Sequence, residues 1–138
     1  MTDALVSPDA VVKIAGREYV FEGNFATFKA LQHALKKDVV EIQGSIFQMT
    51  LGDFVTVLHT LVKCAGGVAT EEAIGQWLVD DVGIDSPEHM YLRGEIIAFL
   101  AVALTPKRAR DKKKAEITKA LTELRQQHSL GQNIGNSA

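Results

Sequence analysis

Four histidines, a single cysteine, a short acidic run and a basic C-terminal stretch are the residues of this chain with the means to do chemistry. His33, His59, His89 and His128 lie far apart, and none has a second histidine, a cysteine or a carboxylate at the helical spacing a metal site needs. Each therefore reads as a surface or boundary histidine. Cys64 stands alone, which excludes an internal disulfide and a Cys/His zinc framework, and it is expected simply to pack. The acidic run 80–85 lacks the alternating oxygen ligands and closing glutamate of a calcium loop. Gly66-Gly67 has no lysine followed by serine or threonine, so it reads as punctuation and not as a phosphate cradle. Ser45, Ser86 and Ser129 lack a nucleophile-elbow context, and Asp53 with His59 is a loose helical pair. No catalytic group, metal site or cofactor site assembles from these residues, and the expectation is a protein that is not an enzyme.

The basic stretch holds more functional promise. Between residues 106 and 128 there are eight Lys/Arg against three acids, leaving seven basic and fourteen acidic residues elsewhere. A body of negative charge thus carries a positive tail. Lys107, Arg108, Arg110, Lys112, Lys113 and Lys114, followed by the thin apolar stripe Ile117, Leu121 and Leu124, form the candidate partner-binding set. Solvated charge, an acidic protein partner and a phosphate backbone are the three readings of such a stretch. The lack of interleaved aromatics and the acidic body argue against nucleic acid.

The elements that must hold this tail follow from periodicity. With 138 residues, 46% hydrophobic and 23% charged, the chain matches one globular domain, and its longest apolar run, 96–104, is far below the roughly 20 residues of a membrane span. No basic cluster precedes an apolar segment at the N-terminus, so the expected location is the cytoplasm. Residues 1–10 read as a flexible start. Val12, Ile14, Tyr19 and Phe21 around Gly16 predict a hairpin over 11–22, with the glycine supplying the positive φ of a tight turn. Two strands are marginal alone, so the hairpin must lay a face on helices or pair with another chain.

Asn24 predicts an N-cap for a helix whose apolar face is Phe25, Phe28, Leu31 and Leu35. The stretch 39–49 is open between an extended segment and a short helix. Thr50 with Asp53 introduces Leu51, Phe54, Val55, Leu58, Leu61 and Val62, the clearest helical spacing in the chain, which stops at Gly66-Gly67. Thr70 caps the next helix, with Ile74, Trp77 and Leu78 inward and an end at Gly83. Ser86-Pro87-Glu88 starts another that runs to about Leu104 and is apolar on every side in its second half, as suits a central core helix or a partner-facing surface. Thr105-Pro106 marks a boundary. The expected architecture is α+β, predominantly α: an N-terminal β-hairpin and a bundle of about four to five helices forming a core over 11–105, a basic helix over 106–128 that is mobile or completed by a partner, and a disordered tail over 129–138.

This order of elements resembles a family. Lys13-Ile14-Ala15-Gly16-Arg17-Glu18-Tyr19-Val20-Phe21, an amphipathic helix, Asp53-Phe54-Val55-Thr56-Val57-Leu58, Gly66-Gly67 and Thr70-Glu71-Glu72-Ala73-Ile74-Gly75 together resemble the small tail assembly chaperones of long-tailed phages, prophages and gene transfer agents, over about two thirds of the chain. The resemblance implies a non-enzymatic protein that binds the tape measure protein and keeps it soluble while tail tube subunits polymerise around it. It also implies self-association, residence in the host cytoplasm, absence from the mature particle and, in a frameshifted longer form, contact with the tail tube protein. The alternatives are a structural phage component, such as a connector or tail-completion protein, and a small nucleic-acid-binding regulator that uses the basic tail.

Overall fold

The computed structural model describes residues 9–137, with side chains through Gln126. Eight of the ten residues read as a flexible start lie outside the described residues, as does Ala138. The chain forms a two-stranded antiparallel hairpin followed by a predominantly helical body. Strands β1 (Ala10–Ile14) and β2 (Arg17–Phe21) pair in the register Val12↔Tyr19 and Ile14↔Arg17. Alternation sends Val12, Ile14, Tyr19 and Phe21 into the core, while Val11 and Val20 pair on the outer face beside Lys13 and Glu18. Phe21 meets Phe99 edge-on at a ring-centroid distance of 6.0 Å, which locks the hairpin to the fifth helix.

The hairpin turn is tighter than its sequence suggests. Both central residues have positive φ, 53° at Ala15 and 85° at Gly16, the conformation that matches strand twist in a two-residue loop. Glycine adopts it freely, whereas alanine there is strained. Ala15→Asn is expected to raise unfolding stability by about 0.5–1 kcal/mol, measured as a shifted urea midpoint at unchanged slope. An unchanged midpoint would mean that the turn carries no strain.

Helix α1 (Phe25–Leu35) begins where Asn24 accepts a hydrogen bond from the Thr27 amide, and it packs against α3 through Leu31. Its first residue departs from the periodic reading: Phe25 is 77% exposed. The undecided stretch 39–49 resolves as the short helix α2 (Val39–Ser45), which buries Val39 and Ile42, followed by a turn that buries Ile46. Helix α3 (Leu51–Cys64) is capped by Thr50 and buries Phe54, Val55, Val57, Leu58, Leu61 and Val62. Helix α4 (Glu71–Trp77), capped by Thr70, continues into one π-helical turn, Leu78–Val82, and closes at Gly83.

Helix α5 (Pro87–Leu104) starts at Ser86, whose hydroxyl accepts from the His89 amide. It buries Leu92, Ile96, Phe99 and Leu100 among the hairpin, α2 and α3 side chains. It is thus the central helix, as its all-round apolar character implies. After a 3-10 turn at Lys107–Ala109, helix α6 (Arg110–Ser137) runs without interruption. It includes 129–137, which composition assigned to a disordered tail. Extending an existing helix avoids the nucleation penalty that a separate Gly/Asn/Ser segment would face. The six α-helices slightly exceed the four to five expected, because α2 and α6 both form.

Candidate functional site

Among the described residues no group of three or more His, Cys, Asp or Glu side chains comes together to hold a metal. His59 Nδ1 lies 3.6 Å from a Glu71 carboxylate oxygen on an open surface, and Cys64 is exposed at the end of α3 instead of packing. No helix among the described residues is long and apolar enough to cross a membrane.

His89 corrects the surface reading of the histidines, since it is buried. The Ser86 cap places it in the first turn of α5, where its Nδ1 meets the Ile84 carbonyl at 2.8 Å and its ring stacks on Phe54. Arg93, one turn later, donates from Nε to His89 Nε2 at 3.0 Å, which assigns the imidazole proton to Nδ1. The Arg93 Nη1 group donates to the carbonyls of Ile46 and Met49, each at 2.8 Å, and its guanidinium lies 4.6 Å from the Phe54 ring centroid. Burial pushes the Arg93 pKa down from its ordinary value, yet a guanidinium stays charged. The cluster ties the α2–α3 turn to α5.

The candidate partner-binding set falls on α6 and the turn before it. Arg110 is half-buried: its Nε donates to the Thr105 carbonyl at 3.0 Å and Nη2 to that of Ala103 at 3.5 Å, satisfying the free end of α5. Lys107, Arg108, Lys112 and Lys114 are exposed and Lys113 is half-buried. Ile117 and Leu121 turn toward α5, and Leu124 is 42% exposed beside Met90 and Tyr91. No described side chain of α6 is buried.

Three contacts set the direction of α6. Arg110 reaches Thr105, Leu121 sits over Gly94, and Arg125 lies 5.4 Å from the Tyr91 ring centroid, so α5 and α6 form an antiparallel pair. By that register α6 passes the start of α5 near residue 128, and 129–137 continue beyond it for about 13 Å. Gly94 allows the approach: a Cβ there would meet Leu121 Cδ2 at 3.2 Å and Phe47 Cζ at 4.0 Å. The fit is incomplete on both flanks. A space of about 200 Å³ lies between β1, α5 and α6, lined by Val12, Ala98, Phe99 and Ile117 among others. A second, of about 310 Å³, is bounded by Pro87, Met90, Tyr91 and Leu124.

The electrostatics favour a basic helix here. Glu95 faces both the first space and its neighbour, and burial pushes its carboxyl above the ordinary carboxylate range while the Arg125 charge pulls it partly back. Asp85 borders the second space near the start of α5, whereas Glu88 lines a separate space with Lys13 and Glu18. Sequence reasoning found the Ile117, Leu121 and Leu124 stripe but missed its seat, because Gly94, Tyr91 and Glu95 look like ordinary members of a core helix. Beside the Arg110 bonds and the Arg125–Tyr91 contact, the two half-buried aliphatic side chains contribute only about 2 kcal/mol to holding α6. Truncation after Thr105 is therefore expected to leave a core that unfolds cooperatively, with stability reduced by about that amount. Loss of a cooperative thermal transition would place α6 in the core.

No family model, curated protein or solved structure matches this chain.

Proposed function

We propose that this protein is a non-enzymatic tail assembly chaperone of a long-tailed phage, prophage or gene transfer agent. It binds the tape measure protein and keeps it soluble while the tail tube polymerises, and it works as a homo-oligomer in the host cytoplasm, absent from the mature particle. The observation that carries this reading is the face of α5 beneath α6: an apolar helix surface only partly covered, with Phe47, Met90 and Leu124 exposed around it. Exposed apolar side chains converging beside a weakly held helix suit the transient capture of a helical, aggregation-prone client. Of the candidate set, Arg110, Lys112, Lys113, Lys114, Ile117, Leu121 and Leu124 lie on the helix that borders this surface, and Lys107 and Arg108 on the turn that leads into it. A longer frameshifted form would contact the tail tube protein.

Co-expression with the long helical protein encoded in the same gene neighbourhood is expected to increase that protein's solubility and to yield a complex on size exclusion. Failure to co-purify from a verified neighbour would sink the proposal. Mass spectrometry of purified particles separates the structural alternative, in which the chain would be stoichiometric. Binding to DNA or RNA that disappears when Lys112, Lys113 and Lys114 are neutralised would favour the nucleic-acid reading.

A further inference from the structure

We infer that the α5 face beneath α6 is a docking groove for a basic amphipathic helix from a partner, and that α6 is a resident, displaceable occupant of it. Underfilling is the first argument. Ile117 and Leu121 are half-buried, Leu124 is 42% exposed, and open spaces of about 200 and 310 Å³ remain on the two sides of the helix. A core interface packs to near-crystalline density, whereas this one leaves room for bulkier side chains on a competing helix. Thr118, a short polar and solvent-exposed side chain, is among the residues that line the first space, so a bulkier apolar residue at that position would fill it further.

Charge specifies the occupant. Glu95 lines the space beneath the helix, Asp85 edges the second space beside Leu124, and Arg125 approaches both Glu95 and the Tyr91 ring. A competitor must therefore combine apolar residues at three- and four-residue spacing with lysine or arginine on the flanks. The resident helix has the right charge and the wrong bulk. Its attachment also permits exchange: Thr105 and Pro106 interrupt the helical backbone between α5 and α6, so that swinging α6 away strains the Arg110 bonds to the Thr105 and Ala103 carbonyls but leaves the α5 backbone intact. The use of this exchange for client capture rests on the chaperone reading, but the groove and its competitor are testable without any client.

The test uses the full-length protein and two fluorescent peptides spanning residues 107–128, one native and one carrying Thr118→Leu. Wild-type protein is expected to bind the native peptide weakly, and a Leu121→Asp protein, whose own helix is undocked, about tenfold more tightly. The Thr118→Leu peptide should bind more tightly still, high salt should weaken both, and Gly94→Leu in the protein should abolish binding by filling the seat of Leu121. No binding to the Leu121→Asp protein at about 100 μM, or binding indifferent to Gly94→Leu, would overturn the inference. Hydrogen exchange on the unmodified chain is a second measurement that needs no variant to fold. Amides of α6 should exchange much faster than those of α3 and α5, and equal protection would mean that α6 is not displaceable. A failed co-expression with the client would leave these results standing, so the two readings fail separately.

Discussion

Arg93→Met lowers stability by about 3 kcal/mol, a fall in Tm of roughly 10 °C for a chain of this size. Arg93 carries a charge inside the core with no carboxylate beside it, and its bonds run to the Ile46 and Met49 carbonyls and to His89. Methionine fills similar volume but donates nothing, so two carbonyls in the α2–α3 turn lose their partner and the contact over Phe54 goes with them. Removing a buried charge offsets part of this loss, which makes Arg93→Lys the informative companion. Lysine keeps the charge without the planar fork, and it should be destabilised by at least about 2 kcal/mol. Chemical denaturation with both variants checks the argument. A methionine variant as stable as wild type would mean that the turn finds other donors.

Gly67→Ala destabilises by about 2–3 kcal/mol through overpacking. A Cβ at this position would lie 2.5 Å from Val62 Cγ1, 2.6 Å from the Tyr19 ring and 3.0 Å from the Val62 carbonyl oxygen. The backbone cannot retreat easily, because the Gly67 amide donates to that same carbonyl at 2.8 Å while the Gly66 amide donates to Lys63 at 3.0 Å. These two bonds are the Schellman closure of α3, with Gly66 at φ +84° as its left-handed residue. Gly66→Ala should cost only about 1 kcal/mol, the conformational penalty alone. The contrast between adjacent glycines is the measurement. If the two variants unfold at the same denaturant concentration, the tight approach of Tyr19 to Gly67 is not a real constraint. If Gly67→Ala is the weaker variant and Tyr19→Leu restores part of its stability, the hairpin and the α3 terminus are coupled through that contact.

The two positions differ in how far they were legible. Gly66-Gly67 reads from sequence as the end of a helix, and it is one, but the pair has two physical roles that no local pattern separates. Gly66 answers a backbone requirement set within α3. Gly67 answers a steric requirement set by Tyr19, which is nearly fifty residues away in the chain. Arg93 was invisible as a keystone for the same reason: an arginine in an apolar helix signals that some partner must exist, but its carbonyl partners are 44 and 47 residues away. His89 went with it, since its burial depends on the Phe54 ring and on Arg93 closing over it.

The candidate site divides along the same line. Apolar spacing in the last helix identified Ile117, Leu121 and Leu124, and composition identified the basic residues around them. Neither indicated that Arg110 would close the end of α5 or that Gly94 would form the seat for Leu121. Phe25 shows the opposite failure, where periodicity placed it on the packed face of α1 with Leu31, yet the residue itself is exposed.

By itself the sequence determined the hairpin, the four helix starts at Asn24, Thr50, Thr70 and Ser86, and the all-round apolar character of the second half of α5, because each rests on interactions within a few residues or on the period of one element. Tertiary structure alone decided which helix lies over α5, how incompletely it fits, and which buried polar groups find partners. Those outcomes depend on shape and hydrogen bonding between segments distant in the chain, where one-dimensional spacing holds no information about distance.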